Sequence, residues 1–220
     1  MTSIRMSWRL ASRLSVITFA VLVIIIVALV QATNGSKTQN GDTTNNTTTS
    51  VTSDGLQGVD LGGKVAPTFQ LTDQYGKSVS LADMKGKPVI LTFLYTNCPD
   101  ICPLTAEHLH STLQALGSDA SNVNILAVST DPKRDTTEAA LNFSRQHNMQ
   151  DSWHYLVGTQ EQLSPIWSSY SVYAQTQQQI VNHTSALYLI DKQGHERVFM
   201  NGDTFTPSQL AANIKILLKE

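Results

Sequence analysis

The sequence predicts an α/β domain, with a mixed, mostly parallel central sheet that carries helices on both faces. Strand-like and helix-like segments alternate from about residue 59 to the end of the chain, which favours crossover connections between strands. The segment Val89–Tyr95 is almost continuously apolar, which is typical of a central strand covered on both sides. A region of roughly 160 residues is long enough for one well-buried core.

Periodicity and turn residues place the first elements. An alternating pattern around a glycine turn predicts a small N-terminal hairpin, the apolar run predicts the central strand, and a leucine stripe that stops at Gly117 predicts a helix. In chain order, these are the hairpin Phe69–Leu81 with its turn at Tyr75–Lys77, the strand Val89–Tyr95, the helix with Leu104, Leu109, Leu113 and Leu116, and the strand Val123–Ser129.

The second half repeats the alternation and ends in a helix. Thr136 or Thr137 begins a helix with Glu138 in its first turn, Pro165 bends or shortens the next helix, and Thr206 caps the last one. The predicted elements are the helix Thr136–His147, the strand Trp153–Val157, the helix Gln160–Tyr170, the strand Ser185–Ile190, the turn Asp191–Gly194, the strand Glu196–Met200 and the helix Pro207–Leu218.

The N-terminus carries an apolar run from Val16 to Val30, preceded by three arginines. A run of about 15–17 residues is at the short end for a membrane-spanning helix, and basic residues before it predict a cytoplasmic N-terminus. We therefore expect residues 1–13 in the cytoplasm and a membrane anchor over residues 14–32. A cleaved signal peptide is the alternative for the same segment.

A polar segment separates that apolar run from the folded domain. Residues 33–58 are rich in Thr, Asn, Ser and Gly, which predicts a disordered linker before a domain at residues 59–220.

The formal net charge is −2, charged residues make up 15% of the chain, and no basic stripe is present. Binding to nucleic acid is therefore not expected.

The two cysteines of the chain, Cys98 and Cys102, follow the predicted central strand. Pro99 and Pro103 favour a helix start there, and residues four apart share a helix face, so both sulfurs can point at one space. Sites in such sheets lie outside the carboxyl ends of the strands. The pair suits a redox disulfide or a soft metal ion such as copper, whereas a purely structural staple across so short a loop adds little stability.

A metal would need a further ligand, and His183 is one candidate because it lies just before the strong apolar strand that begins near Ala186. The other histidines lie on helices, at a helix end, at a strand start or in a turn, where structural roles are more common. Asp131 follows the carboxyl end of another strand, where it can orient an imidazole or tune the site. An Asx turn before Pro132 is the alternative interpretation of Asp131.

Four segments in order along the domain closely resemble the Sco/SenC family of copper-binding proteins. They are Thr96-Asn-Cys-Pro-Asp-Ile-Cys-Pro103, Val128-Ser-Thr-Asp-Pro-Lys-Arg-Asp135, Trp153-His-Tyr-Leu-Val-Gly158 and Val181-Asn-His-Thr-Ser-Ala-Leu-Tyr-Leu-Ile-Asp191. The resemblance implies a thioredoxin-like fold, copper bound as Cu(I) or Cu(II) by Cys98, Cys102 and His183, and a supporting role for Asp131. Family members often have a histidine where this chain has Asn97, which puts the tuning of the site and its partner contacts in doubt.

The resemblance also implies a copper chaperone that serves apo-cytochrome c oxidase subunit II. Its domain would lie on the extracytoplasmic side, at the periplasmic or outer face of a cell membrane rather than at the mitochondrial inner membrane. The alternative is a thiol–disulfide oxidoreductase that reduces the target cysteines before metallation, although its motif would normally space the cysteines by two residues. A peroxidase of the peroxiredoxin type would need threonine at the position of Tyr95.

Overall fold

The computed structural model describes residues 50–177 and 180–220. Contacts divide the chain into two units, Met1–Thr47 and Thr48–Glu220, and the second unit is the folded domain. The expected cytoplasmic segment 1–13, the expected anchor 14–32 and most of the expected linker 33–58 lie outside the described residues. Within the part of the chain that is described, no helix has the length and hydropathy needed to cross a membrane.

In its described residues, the folded unit has a six-stranded sheet, two small two-stranded sheets and four α-helices. The strands are β1 (Val59–Val65), β2 (Gln70–Thr72), β3 (Ser78–Ser80), β4 (Val89–Leu94), β5 (Asn124–Ser129), β6 (His154–Leu156), β7 (Ala174–Gln177), β8 (Ile180–His183), β9 (Ala186–Ile190) and β10 (His195–Asn201). The helices are α1 (Ile101–Leu116), α2 (Thr137–Gln146), α3 (Gln160–Ser169) and α4 (Pro207–Leu217), with short 3₁₀ turns at Leu81–Met84 and Gly117–Asn122.

The large sheet is mixed, in the order β1-β10-β9-β4-β5-β6. The expectation of a mostly parallel sheet is wrong, because only β4–β5 and β5–β6 run parallel, whereas β1–β10, β10–β9 and β9–β4 are antiparallel. The reason is that β9 and β10 form a hairpin, and that hairpin pairs with β4 directly. Strand β4 is buried along its whole length at the centre of the sheet, as predicted.

Helices cover both faces of the sheet, which confirms the predicted architecture. Helices α1, α2 and α4 contribute to one core, whereas α3 and the β2–β3 hairpin contribute to the other. Thr136, Thr159 and Thr206 cap α2, α3 and α4 through their hydroxyl oxygens. Helix α3 runs through Pro165 and reaches Ser169, so it is not shortened.

Three features of the fold differ from the sequence expectations. Strand β1 and the β7–β8 hairpin were not predicted, and Leu104 of the expected leucine stripe is exposed at 38%. The last part of the expected linker, residues 50–58, is folded: Leu56 is buried, and the Asn213 side chain exchanges two hydrogen bonds with the backbone of Gln57. The prediction of a disordered linker is therefore wrong for residues 50–58, because contacts with distant residues order this segment.

Candidate metal centre

The cysteines lie where β4 ends and α1 begins, at the carboxyl end of the central strand. Cys98 is partly exposed and Cys102 is fully buried, and both are free thiols. The Cys102 N–H, in the first turn of α1, donates to the Cys98 sulfur at 3.3 Å. Only Cys102 lies in α1, because Cys98 precedes the helix by three residues. The expected shared helix face is therefore replaced by this hydrogen bond from the helix N-terminus to the Cys98 sulfur.

His183 reaches the same point from another element. It is the last residue of β8, and its Nε2 lies 3.9 Å from the Cys102 sulfur. Its Nδ1 lies 3.1 Å from the Thr184 carbonyl oxygen. When Nδ1–H donates to that carbonyl, the lone pair of Nε2 points towards the sulfurs, which is the tautomer a metal ligand needs.

The separation of these atoms suits a shared metal ion. A metal about 2.3 Å from sulfur and about 2.0 Å from nitrogen in trigonal geometry holds the two atoms about 3.7 Å apart. The observed Cys102–His183 distance is 3.9 Å. Among the described residues, no three His, Cys, Asp or Glu side chains already form a complete metal-binding cluster. Two soft sulfurs and one imidazole nevertheless form a donor set suited to copper.

The pKa values of the two thiols are shifted in opposite directions. A hydrogen bond with the Cys102 side chain, helped by backbone N–H groups at Asp100 and Cys102, lowers the pKa of Cys98 to about 5. The same hydrogen bond, together with burial, raises the pKa of Cys102. Burial also lowers the pKa of His183, so its imidazole is neutral at pH 7. The apo site is therefore a thiolate that is hydrogen-bonded by a buried thiol beside a neutral imidazole.

This difference in pKa between Cys98 and Cys102 predicts selective alkylation of the copper-free protein. At pH 7, iodoacetamide should modify Cys98 about tenfold or more faster than Cys102, because Cys98 is both ionised and accessible. The rate at Cys98 should decline as the pH falls through about 5, where the thiolate takes up a proton. Peptide mapping by mass spectrometry measures both rates. The Cys98→Ser protein is the control, and equal rates at both cysteines in the wild type would contradict the assignment.

Comparisons with known proteins identify the family. The SCO1/SenC family model matches residues 59–219. The chain belongs to the SCO1/SenC family. The copper-bound structure of Bradyrhizobium japonicum ScoI has a TM-score of 0.63 and 34% identity, covering 70% of this chain and 99% of that one. A structure of BsSco, described as a member of the Sco family of cytochrome c oxidase assembly proteins, has a TM-score of 0.63 and 25% identity, covering 72% and 95%.

Curated relatives agree with this membership. The SCO2-like protein RT0576 of Rickettsia typhi is 27% identical over 138 residues, which cover 60% of this chain and 67% of that protein. The chain spans about half to two thirds of the length of the first curated relatives it matches. The mixed α/β fold of this SCO1/SenC domain matches the Sco structures, which confirms the fold that the motifs implied.

Among the described contacts, Asp131 of the SCO1/SenC domain makes no hydrogen bond or ion pair with Cys98, Cys102 or His183. It is fully buried, and its carboxylate pairs with Arg134. The Arg134 guanidinium in turn lies 6.0 Å from the centre of the Tyr95 ring. Any support from Asp131 therefore acts through Arg134 and Tyr95.

Sequence reasoning missed Asp135. Its buried carboxylate holds the cysteine loop, which is residues 95–100 between β4 and α1 and contains Cys98. It accepts hydrogen bonds from the Thr96 N–H at 3.0 Å, the Thr96 hydroxyl at 2.7 Å, the Ser129 hydroxyl at 2.6 Å and the Tyr155 hydroxyl at 3.2 Å. Burial raises the pKa of Asp135. Its place in the quoted Val128–Asp135 segment was the available signal, but only the fold shows that one of its partners is Thr96, two residues before Cys98.

The remaining histidines make other contacts. His108 packs on Phe205, His110 lies 3.1 Å from the Gln114 amide, His147 packs on Phe143, His154 pairs with Asp73 and His195 pairs with Asp191. A cavity of about 550 Å³ lies at the amino ends of β5 and β6 and contains no predicted site residue. A shallower cleft of about 280 Å³ is lined by Tyr95, Cys98 and His183 together with their neighbours. We therefore place the chemistry in the smaller cleft.

Proposed function

We propose that this protein is a membrane-tethered copper chaperone that holds copper through the Cys98 and Cys102 thiolates and the His183 imidazole. The observation that carries the proposal is the convergence of these side chains, with 3.9 Å between the Cys102 sulfur and His183 Nε2. Thiolate sulfur favours Cu(I), and imidazole suits both oxidation states of copper. The copper-bound Bradyrhizobium japonicum ScoI structure, 34% identical, supports copper as the metal.

The copper would be cargo, delivered to the binuclear copper site of cytochrome c oxidase subunit II. The description of BsSco as a cytochrome c oxidase assembly protein supports this partner. The cleft opens to solvent beside Cys98, so thiol ligands of a partner can approach and replace the ligands of this chain one at a time. The apolar run at Val16–Val30 would anchor the domain on the extracytoplasmic face, and a Sco-family neighbour from Bacillus anthracis is a lipoprotein.

Metal stoichiometry tests the assignment. The reduced protein should take up one Cu(I) per chain in anaerobic titration, and the Cys98→Ser, Cys102→Ser double variant should retain none after desalting. Thiolates supply two of the three soft donors, so the remaining imidazole cannot hold the ion alone. His154→Ala is the matched control, because His154 pairs with Asp73 away from the cysteines. Wild-type copper retention by the double variant would refute the proposed site.

The thiol pair also supports a second candidate function, a thiol–disulfide oxidoreductase. The observation that favours this function is the low pKa of the partly exposed Cys98, which lies next to the buried Cys102. The Cys98 thiolate would attack a target disulfide and release one target thiol. Cys102 would then displace the second target thiol and leave a Cys98–Cys102 disulfide, which a dithiol reductant would have to reduce again. Only the chaperone function requires His183, so disulfide reduction by the His183→Ala variant isolates the second activity.

A further inference from the structure

A tight turn at residues 201–205, between β10 and α4, is closed by its own hydrogen bonds. The Asn201 carbonyl accepts from the Thr204 N–H at 3.3 Å and from the Phe205 N–H at 3.1 Å. The Asn201 side-chain oxygen accepts from the Asp203 N–H at 2.8 Å. The Phe205 side chain is buried in the core to which α1 contributes. The turn is therefore anchored beside α1, and neither of the proposed functions gives it a role.

In this turn, Gly202 contacts both of the segments that carry the candidate ligands. Its carbonyl oxygen lies 3.4 Å from the hydroxyl of Thr105, which is on α1 three residues after Cys102. Its N–H donates to the Ser185 carbonyl at 3.0 Å, two residues after His183. A single residue therefore lies between α1 and the connection from β8 to β9.

The segment that carries His183 is held on both sides of the histidine. Val181, two residues before it, is buried in the same core as α1. Ser185, two residues after it, accepts the hydrogen bond from Gly202. Because Gly202 also contacts Thr105, the hydrogen bond to Ser185 fixes this segment against the helix that contains Cys102.

The fit around Gly202 is close enough to explain why this residue is a glycine. A Cβ atom on Gly202 would lie 3.3 Å from the Ser185 carbonyl carbon, 3.4 Å from the Ser185 Cβ and 3.5 Å from the Ala186 nitrogen. Gly202 is not among the glycines with positive φ, so its backbone conformation does not require glycine. The close approach of Ser185 is therefore the reason, and in so closely packed a place an added methyl group displaces its neighbours.

We propose that Gly202 is a positioning residue of this centre: as a spacer without a side chain between α1 and the β8–β9 connection, it sets the separation of His183 from the cysteines before copper arrives. The inference deepens the proposed function and rests on it for the metal alone. A side chain at residue 202 would push Ser185 away from α1, and the 3.9 Å between His183 Nε2 and the Cys102 sulfur would increase. A metal centre must be held within about 0.5 Å of its working geometry, so a small displacement weakens copper binding.

The variants Gly202→Ala and Gly202→Val test this inference, with Gly158→Ala as the matched control. Gly158 also lacks a positive φ, and a Cβ there would lie 2.9 Å from the Leu71 side chain, away from the copper cleft. Cu(I) affinity, measured anaerobically by competition with a chromogenic chelator, should fall about tenfold or more in Gly202→Val, as for outer-shell partners of metal ligands, and change by no more than about twofold in Gly158→Ala. The affinity of Gly202→Ala should lie between those of Gly202→Val and the wild type.

A second readout follows the position of His183 in the copper-free protein. The Tyr95 ring meets the His183 imidazole edge to face, with centroids 5.6 Å apart, so the ring current of Tyr95 shifts the imidazole proton resonances. In NMR spectra of the copper-free protein, these resonances should move in Gly202→Ala and move further in Gly202→Val. They should stay at the wild-type position in Gly158→Ala, because crowding at Gly158 can lower stability without moving His183.

The copper-free readout separates this inference from the copper proposal. If the wild-type protein binds no copper, the proposed function is wrong, while the His183 resonances still test the role of Gly202. The positioning role is refuted if the His183 resonances, or the copper affinities, of both Gly202 variants match those of the wild type. Thermal unfolding checks that each variant folds. Should Gly202→Val be unfolded, Gly202→Ala decides the test, because alanine is compatible with a backbone outside the left-handed region.

Discussion

The His183→Ala variant is expected to bind Cu(I) about 100-fold or more weakly than the wild type, because loss of a direct ligand should exceed the usual effect of an outer-shell change. The remaining cysteines offer two donors, and the cleft beside them is open to water. Chelator competition under anaerobic conditions measures the affinity. The variant should fold normally, since His183 lies at the end of a hairpin outside the large sheet.

A control variant and a chemical rescue with imidazole accompany the affinity measurement on His183→Ala. His108→Ala removes a partly buried histidine from α1 that packs on Phe205, and it should leave copper affinity within about twofold of the wild type. Excess imidazole should restore part of the affinity of His183→Ala by entering the vacated position. A His183→Ala protein with wild-type affinity would remove the imidazole from the ligand set and leave the dithiol function as the better assignment.

The Asp135→Ala variant is expected to lose about 3–5 kcal/mol of unfolding free energy, in the range for removing one partner of a buried polar cluster. The substitution leaves the Thr96, Ser129 and Tyr155 donors buried without their acceptor. It also releases the Thr96 N–H, which positions the backbone two residues before Cys98. Urea denaturation followed by circular dichroism measures the change in free energy.

Two further aspartate variants calibrate that result. Asp83→Ala alters an exposed carboxylate and should change the unfolding free energy by no more than about 0.5 kcal/mol. Asp135→Asn keeps one acceptor oxygen, so its cost should lie between the other two. If Asp135→Ala unfolds within about 0.5 kcal/mol of the wild type, the cluster does not hold the cysteine loop as described.

The local parts of the site follow from the sequence because they depend on local geometry. Pro99 and Pro103 indicate a helix start beside the cysteines, and α1 does begin there, although only Cys102 lies within it. The strong apolar runs also locate β4, β5 and β9 to within about two residues, the usual accuracy at element ends. Helix capping is equally local: Thr206 was predicted as a cap, and Thr136 was one of the two residues predicted to begin its helix.

The parts that were missed depend on contacts between distant segments. The β7–β8 hairpin has few apolar residues and no clear alternation, so periodicity cannot find it. The sequence placed His183 in a loop, whereas it is the last residue of strand β8. Asp131 was chosen over Asp135 because it follows a strand directly, but only the fold brings Thr96 and Tyr155 to Asp135.

The folded segment at residues 50–58 determines how the domain responds to a mechanical load applied at residue 50. Leu56 is buried, Asn213 holds the Gln57 backbone, and Arg197 pairs with Asp54 and Glu220. Tension arriving at residue 50 therefore falls first on β10, α4 and the C-terminal end of the chain. The cysteine loop and the hairpin that carries His183 lie outside this force path, so the cleft can keep its geometry under such a load.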